Sequence, residues 1–169
     1  FSGYSDIAIG AAAILGFKIP LNFNKPFFAT SPSDFWSRWH ISLSSWVRDY
    51  LYFPLALKHR RFSSIAFPSL LLSMVVMGLW HGASWNFVVW GVFHGIFLVV
   101  FTILRRKYSK PTEPFFKSKF GKLFSIFVAQ YLVFFTFIVF IVQDFDHMWY
   151  AMTKYVILDF ATSQTIEII

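Results

Sequence analysis

Leu79-Trp80-His81-Gly82 sets one ionisable imidazole between two apolar runs, each long enough to suggest a bilayer crossing. Lipid offers such a group no hydrogen-bond partner, so an intramembrane histidine is costly to keep and points to a function. The chemistry it suits is general base catalysis. Burial keeps an imidazole neutral, and a neutral imidazole can take the proton of a hydroxyl as that hydroxyl attacks an acyl carbonyl. The plainer reading is a core histidine whose ring nitrogens are satisfied by neighbouring helices.

His40 is the second candidate, with Trp39 beside it, Ser44 one turn on and Arg48 a turn beyond. It could hold substrate or polarise a carbonyl, although a histidine at the edge of an amphipathic aromatic face explains the same spacing. Arg38, Arg48 and Asp49 could bind a phosphate-bearing acyl donor or snorkel to the interface. Arg48 and Asp49 are adjacent, so on a helix they point different ways and are not expected to pair. Trp39 and Trp80, each preceding one of the histidines, complete a candidate substrate-binding set with Arg38, Ser44 and Arg48. Asp6 reads as a helix cap or a buried polar anchor. His59, His94 and His147 read as a solvated, a packing and a surface histidine.

No metal is expected. His81 and His94 lie about 20 Å apart on a continuous helix, too far to share an ion, and the chain has no cysteine. A haem held by His40 with His81 or His94 is a weaker alternative. Glycine-rich phosphate loops, Gly-x-Ser-x-Gly and His-Glu-x-x-His are absent.

The elements that must carry these residues are helical and apolar. With 57% hydrophobic, 22% aromatic and only 14% charged residues, the chain reads as an all-α polytopic membrane protein. It begins at Phe1 with no leader pattern and reads as the C-terminal part of a larger protein, a single membrane-embedded domain over 1–169. Residues 3–17 are small and apolar, with Ala8, Ala12 and Gly16 at every fourth position. Ser31-Pro32-Ser33-Asp34 supplies a cap, a first-turn proline and an acid three residues on, so an interfacial or re-entrant helix is predicted over about 32–50. On it Phe35, Trp36, Trp39, Leu43, Trp46, Val47 and Tyr50 share one arc. Spans are predicted at about 62–80, 83–104 and 123–142.

The net charge of +7 sits beside apolar spans rather than in a stripe, which argues against nucleic acid and for orientation signals in a lipid bilayer. Basic loops at Lys58–Arg61 and Arg105–Lys122 are expected on the cytoplasmic side. The hairpin of spans 62–80 and 83–104 then turns its tip, His81-Gly82, away from the cytoplasm, and the acidic tail from Gln143 lies outside.

Four stretches carry a resemblance: Phe1-Ser2-Gly3-Tyr4-Ser5-Asp6-Ile7-Ala8-Ile9-Gly10, Asp34-Phe35-Trp36-Ser37-Arg38-Trp39-His40-Ile41-Ser42-Leu43-Ser44, Arg48-Asp49-Tyr50-Leu51-Tyr52, and Gly78-Leu79-Trp80-His81-Gly82-Ala83-Ser84-Trp85. Through them the chain resembles the membrane-bound O-acyltransferase family, in its alginate O-acetyltransferase membrane-subunit branch. The turn at Leu55-Ala56-Leu57-Lys58 departs from the glycine-rich turn that branch would have.

The resemblance implies a ring of transmembrane helices around a tunnel, His81 as catalytic residue and His40 as a supporting one. It implies an acyl thioester donor such as acetyl-CoA on the cytoplasmic side of a bacterial inner membrane. On the other side it implies an exported polysaccharide acceptor and an extracytoplasmic acetyltransferase partner. D-alanyl and peptidoglycan acyl transfer are the alternatives within the family. A transporter subunit relaying protons through His81, His40 and Asp6, and a scaffold whose histidines only fill space, are the rivals outside it.

Overall fold

The computed structural model describes residues 1–58 and 66–159. Eight α-helices follow one another among the described residues: α1 (Ser2–Ile14), α2 (Pro32–Trp36), α3 (Ile41–Val47), α4 (Phe53–Lys58), α5 (Ala66–His81), α6 (Trp85–Lys117), α7 (Lys119–Ile141) and α8 (Phe145–Val156). There is no strand among them. Trp85–Tyr108 of α6 and Lys119–Ile141 of α7 are each long and apolar enough to cross a membrane, while α5 is shorter. The fold is all-α, as the composition indicates.

α5 and α6 form the tightest pair. Their backbones meet at glycines: a Cβ on Gly91 would lie 2.5 Å from the Met74 carbonyl oxygen, and one on Gly78 would strike the Phe87 carbonyl. Small residues at such crossings let helices approach where lipid supplies no hydrophobic drive between them. Ser84, accepting a hydrogen bond from Asn86 N–H (3.3 Å), starts α6 straight after the turn that follows His81. Asn86 Nδ2 in turn donates to the carbonyls of Val142 (3.3 Å) and Gln143 (2.9 Å). The end of α7 is thereby tied to the start of α6, and carbonyls that a helix end leaves orphaned find a donor. α8 closes the bundle through Met148 and Met152, and Asp144 caps it by accepting from His147 N–H (2.8 Å).

Three expectations need correction. The helix predicted over 32–50 is two helices, broken at residues 37–40. His40 adopts φ 50° and ψ 47° and heads α3, so the chain turns there and the aromatic arc divides. Phe35 and Trp36 go into the core, whereas Trp46 and Tyr50 are exposed. The reason lies in a strap from upstream: Asn24 N–H donates to Arg38 C=O (2.8 Å), Ile41 N–H to Asn22 C=O (2.9 Å), and Ser42 Oγ to Asn22 Oδ1 (2.9 Å). These bonds compete with the helical ladder and hold the break open.

Second, the segment Arg105–Lys122 is not a loop. α6 continues to Lys117, helped by the Lys117–Glu113 pair at 2.6 Å, and α7 restarts at once, capped by Ser118 Oγ accepting from Gly121 N–H (3.0 Å). Third, His81 is the last residue of α5 rather than part of the turn. Of the basic stretch Lys58–Arg61, His59, Arg60 and Arg61 lie outside the described residues, as does Glu167 of the tail.

Candidate active site: two histidines in an aromatic cage

The break that overturns the continuous helix brings the candidate site together. The imidazoles of His40 and His81 lie 6.5 Å apart between ring centroids. Trp80 stands edge-on to both, 5.6 Å from His40 and 5.1 Å from His81. Around His81 the cage is Trp90 (5.2 Å), Phe140 (5.1 Å) and Phe87 (6.0 Å). Around His40 it is Phe1 (4.9 Å) and Phe23 (6.1 Å), and Trp39 stands edge-on against Phe23 at 5.0 Å. The two imidazoles are flanked mainly by rings, with His40 buried and His81 half-buried, and none of these neighbouring rings is titratable.

His40 is buried, and its Nδ1 has no hydrogen-bond partner among the described residues. Burial, reinforced by the neighbouring His81, holds its pKa below the ordinary imidazole value. A neutral ring is therefore the resting form, able to accept a proton or a hydrogen bond.

The local sequence explains how His40 is held. Ser31 caps α2 by accepting from Asp34 N–H (3.0 Å), and the Asp34 carboxylate accepts from Thr30 N–H (2.9 Å) and Arg38 Nε–H (2.6 Å). Burial pulls the Asp34 pKa up, but the Thr30 and Arg38 hydrogen bonds outweigh it and leave the carboxyl below its usual range. Ser44 Oγ donates to the Trp39 carbonyl at 3.1 Å, across the break.

The remaining candidates separate. Trp80 and Trp39 belong to the cage or its wall. Arg38 is bound to Asp34, and Ser44 serves the backbone. Arg48 lies exposed and pairs with Asp49, Nε to Oδ1 at 2.8 Å and Nη2 to Oδ2 at 3.2 Å, contrary to the expectation that adjacent residues would not meet. Residues 48–52 form a wider π-turn, and an exposed arginine is long enough to fold back on its neighbour. Such an exposed pair contributes little. Asp6 lies on α1, which has no buried residue.

Trp90 and Phe140 do not stand out in the sequence, and His94 reads there only as a packing residue. The 20 Å separation of His81 from His94 assumes a continuous helix. The turn at residues 82–84 removes that assumption, and Trp90 touches both rings, 5.2 Å from His81 and 4.5 Å from His94. The legible signal is the spacing Trp90-x-x-x-His94 on an otherwise apolar helix. Among the described residues no three of His, Cys, Asp or Glu gather into a metal-holding group.

The family model of the membrane-bound O-acyltransferases matches residues 1–144. The chain is 49% identical over 105 residues to the protein named "Probable alginate O-acetylase AlgI" of Azotobacter vinelandii, covering 62% of this chain and 21% of the relative. It is 45% identical over 115 residues to the peptidoglycan O-acetyltransferase of Helicobacter pylori, covering 68% and 21%. Against the teichoic acid D-alanyltransferase of Streptococcus thermophilus it is 34% identical over 157 residues, covering 83% and 37%. The chain thus spans about a fifth to somewhat over a third of the length of these relatives. With that family model matching residues 1–144, most of its length, the chain belongs to the membrane-bound O-acyltransferase family.

Proposed function

We propose that the protein containing this chain is an O-acetyltransferase of a bacterial inner membrane. It moves an acetyl group from a cytoplasmic thioester, acetyl-CoA, towards hydroxyls of an exported polysaccharide. The observation that carries this reading is the pairing of His40 with His81 inside the aromatic cage. The identities to alginate and peptidoglycan O-acetylating relatives support acetyl as the group and a glycan as the acceptor.

The attacking hydroxyl belongs to the polysaccharide, or to an extracytoplasmic acetyltransferase partner that relays the group to it. The hydroxyl oxygen bonds to the acyl carbon, the carbon–sulfur bond breaks, and the thiolate leaves. His81 takes the hydroxyl proton and returns it to the sulfur, and His40 orients the reactants. Trp80 and Trp39 wall the acyl group; Arg38, Ser44 and Arg48 act at most through the structure that holds His40.

The charge distribution supports the orientation. Arg105 lies twenty positions beyond Trp85 on one continuous helix (105 − 85), about 30 Å away, which is the thickness of the hydrocarbon core. A cytoplasmic Arg105–Lys122 segment then leaves His81 towards the opposite side.

The test is a full-length His81→Ala variant at normal membrane abundance, with O-acetyl esters on the exported polysaccharide quantified. Loss of the esters is expected. Unchanged ester levels would overturn the assignment of His81, and D-alanyl esters in place of acetyl would correct the donor.

A further inference from the structure

His94 is a fully buried imidazole that the proposed reaction does not use. It lies one turn after Trp90 on α6, and its Nε2 is 2.9 Å from Thr136 Oγ1 on α7. The same hydroxyl also reaches the Val133 carbonyl, to which Thr136 Oγ1 donates at 2.7 Å. With that proton on the Val133 carbonyl, Thr136 Oγ1 accepts from the Nε2–H of His94, the two roles following the tautomer of the ring. Trp36 and Phe35 of α2 close over the ring at 5.1 and 6.4 Å.

The place of this bond in the fold gives it a consequence. Four residues along α6 from His94 is Trp90, and four residues along α7 from Thr136 is Phe140. Each is one turn, about 6 Å, nearer the site. Trp90 and Phe140 meet edge-to-face at 5.7 Å, and both lie against His81. One turn further still, Asn86 binds the carbonyls of Val142 and Gln143. The aromatic pair against His81 is thus bracketed by two polar cross-links, His94 to Thr136 of α7 and Asn86 to the carbonyls just past the end of α7.

We propose that His94 is a positioning residue: its Nε2–H, donated to Thr136, sets the register of α7 on α6 so that Trp90 and Phe140 close on His81. Helices joined by rings alone can slide, because ring contacts are broad in geometry, whereas a buried donor and acceptor have one good alignment. The inference rests on the reading of His81 as the reacting imidazole.

The experiment uses the full-length protein in membrane vesicles with radiolabelled acetyl-CoA as the donor probe. Thr136→Val and His94→Leu remove the bond. Thr136→Ser keeps the hydroxyl, and His94→Gln keeps an amide N–H near the place of Nε2. Expected is a drop of about tenfold or more in kcat per folded molecule for Thr136→Val and His94→Leu, with KM for acetyl-CoA held within about twofold, and recovery in Thr136→Ser and His94→Gln. Lower abundance with unchanged kcat per folded molecule would make the bond merely structural and overturn the proposal. So would equal losses in the conservative variants. His81→Ala in the same assay separates the two claims: retained turnover there defeats the assignment of His81, whereas its loss beside normal Thr136→Val turnover defeats only the role of His94.

Discussion

His40 and His81 meet because a break in one helix faces the end of another. His40 heads α3 in a left-handed conformation, and His81 is the final residue of α5, so each ring projects from a helix terminus rather than from a helix side. Their 6.5 Å separation, with Trp80 edge-on to both, is therefore set by two chain turns and not by a helical repeat.

His40 should make the protein sensitive to acid. Its pKa in the folded state lies below the ordinary value of 6.5, for burial and then for the charge of His81. Below about pH 6.5 the unfolded chain binds the proton more readily than the folded one, so stability falls as pH falls. His40→Asn cannot titrate and tolerates the left-handed backbone. Melting temperatures of the full-length protein at pH 7.5 and 5.5 should differ less in this variant than in the wild type. An equal difference would assign the acid sensitivity elsewhere.

Asp34 should matter through the backbone it holds. Asp34→Ala removes the acceptor for Thr30 N–H and the partner of Arg38, just ahead of the break that carries His40. A cost of about 1–2 kcal/mol is expected at neutral pH from the lost hydrogen bonds, the Ser31 cap being kept. Because the folded carboxyl titrates below its usual value of 3.8, this contribution is present above about pH 4 and disappears only below it. Denaturation of Asp34→Ala and wild type at pH 7 and pH 3 checks both halves: the difference should shrink at pH 3, and one undiminished from pH 7 would contradict the linkage.

Gly91 should resist even alanine. The added Cβ would lie 2.5 Å from the Met74 carbonyl oxygen and 2.7 Å from Val75 Cα, both backbone atoms of α5 that cannot rotate away. Gly91→Ala must part the hairpin beside Trp90, at about 1–3 kcal/mol by the usual cost of overpacking. A lower melting temperature and weaker ester formation are expected. An unchanged melting temperature would show that α5 and α6 can separate freely.

Much of this was legible in the chain. Low charge and long apolar runs point to helices, because only helices and closed barrels satisfy the backbone in a bilayer and barrel strands alternate apolar with polar. Ser31, Pro32 and Asp34 announced α2 by chemistry that acts within one turn, and Leu79-Trp80-His81-Gly82 announced a histidine needing explanation. The continuous helix over 32–50 failed because periodicity records which residues are apolar. It carries no trace of Asn22 and Asn24 returning to bind Arg38, Ile41 and Ser42. The long α6 was missed for the opposite reason: Glu113 and Lys117 stabilise a charged helix that composition reads as loop.

The sequence by itself determined the helical class, the membrane setting, the helix caps and the two histidines, since each depends on composition or on residues within a turn of one another. Only the tertiary structure decided that Trp90 and Phe140 grip His81, that His94 serves Thr136, and that Arg38 is bound to Asp34 rather than free. Those relationships join side chains from different helices or from either side of a chain turn. Their geometry is set by close packing at Gly78 and Gly91 and by the cross-links at Asn86 and His94, and no spacing along the chain encodes it.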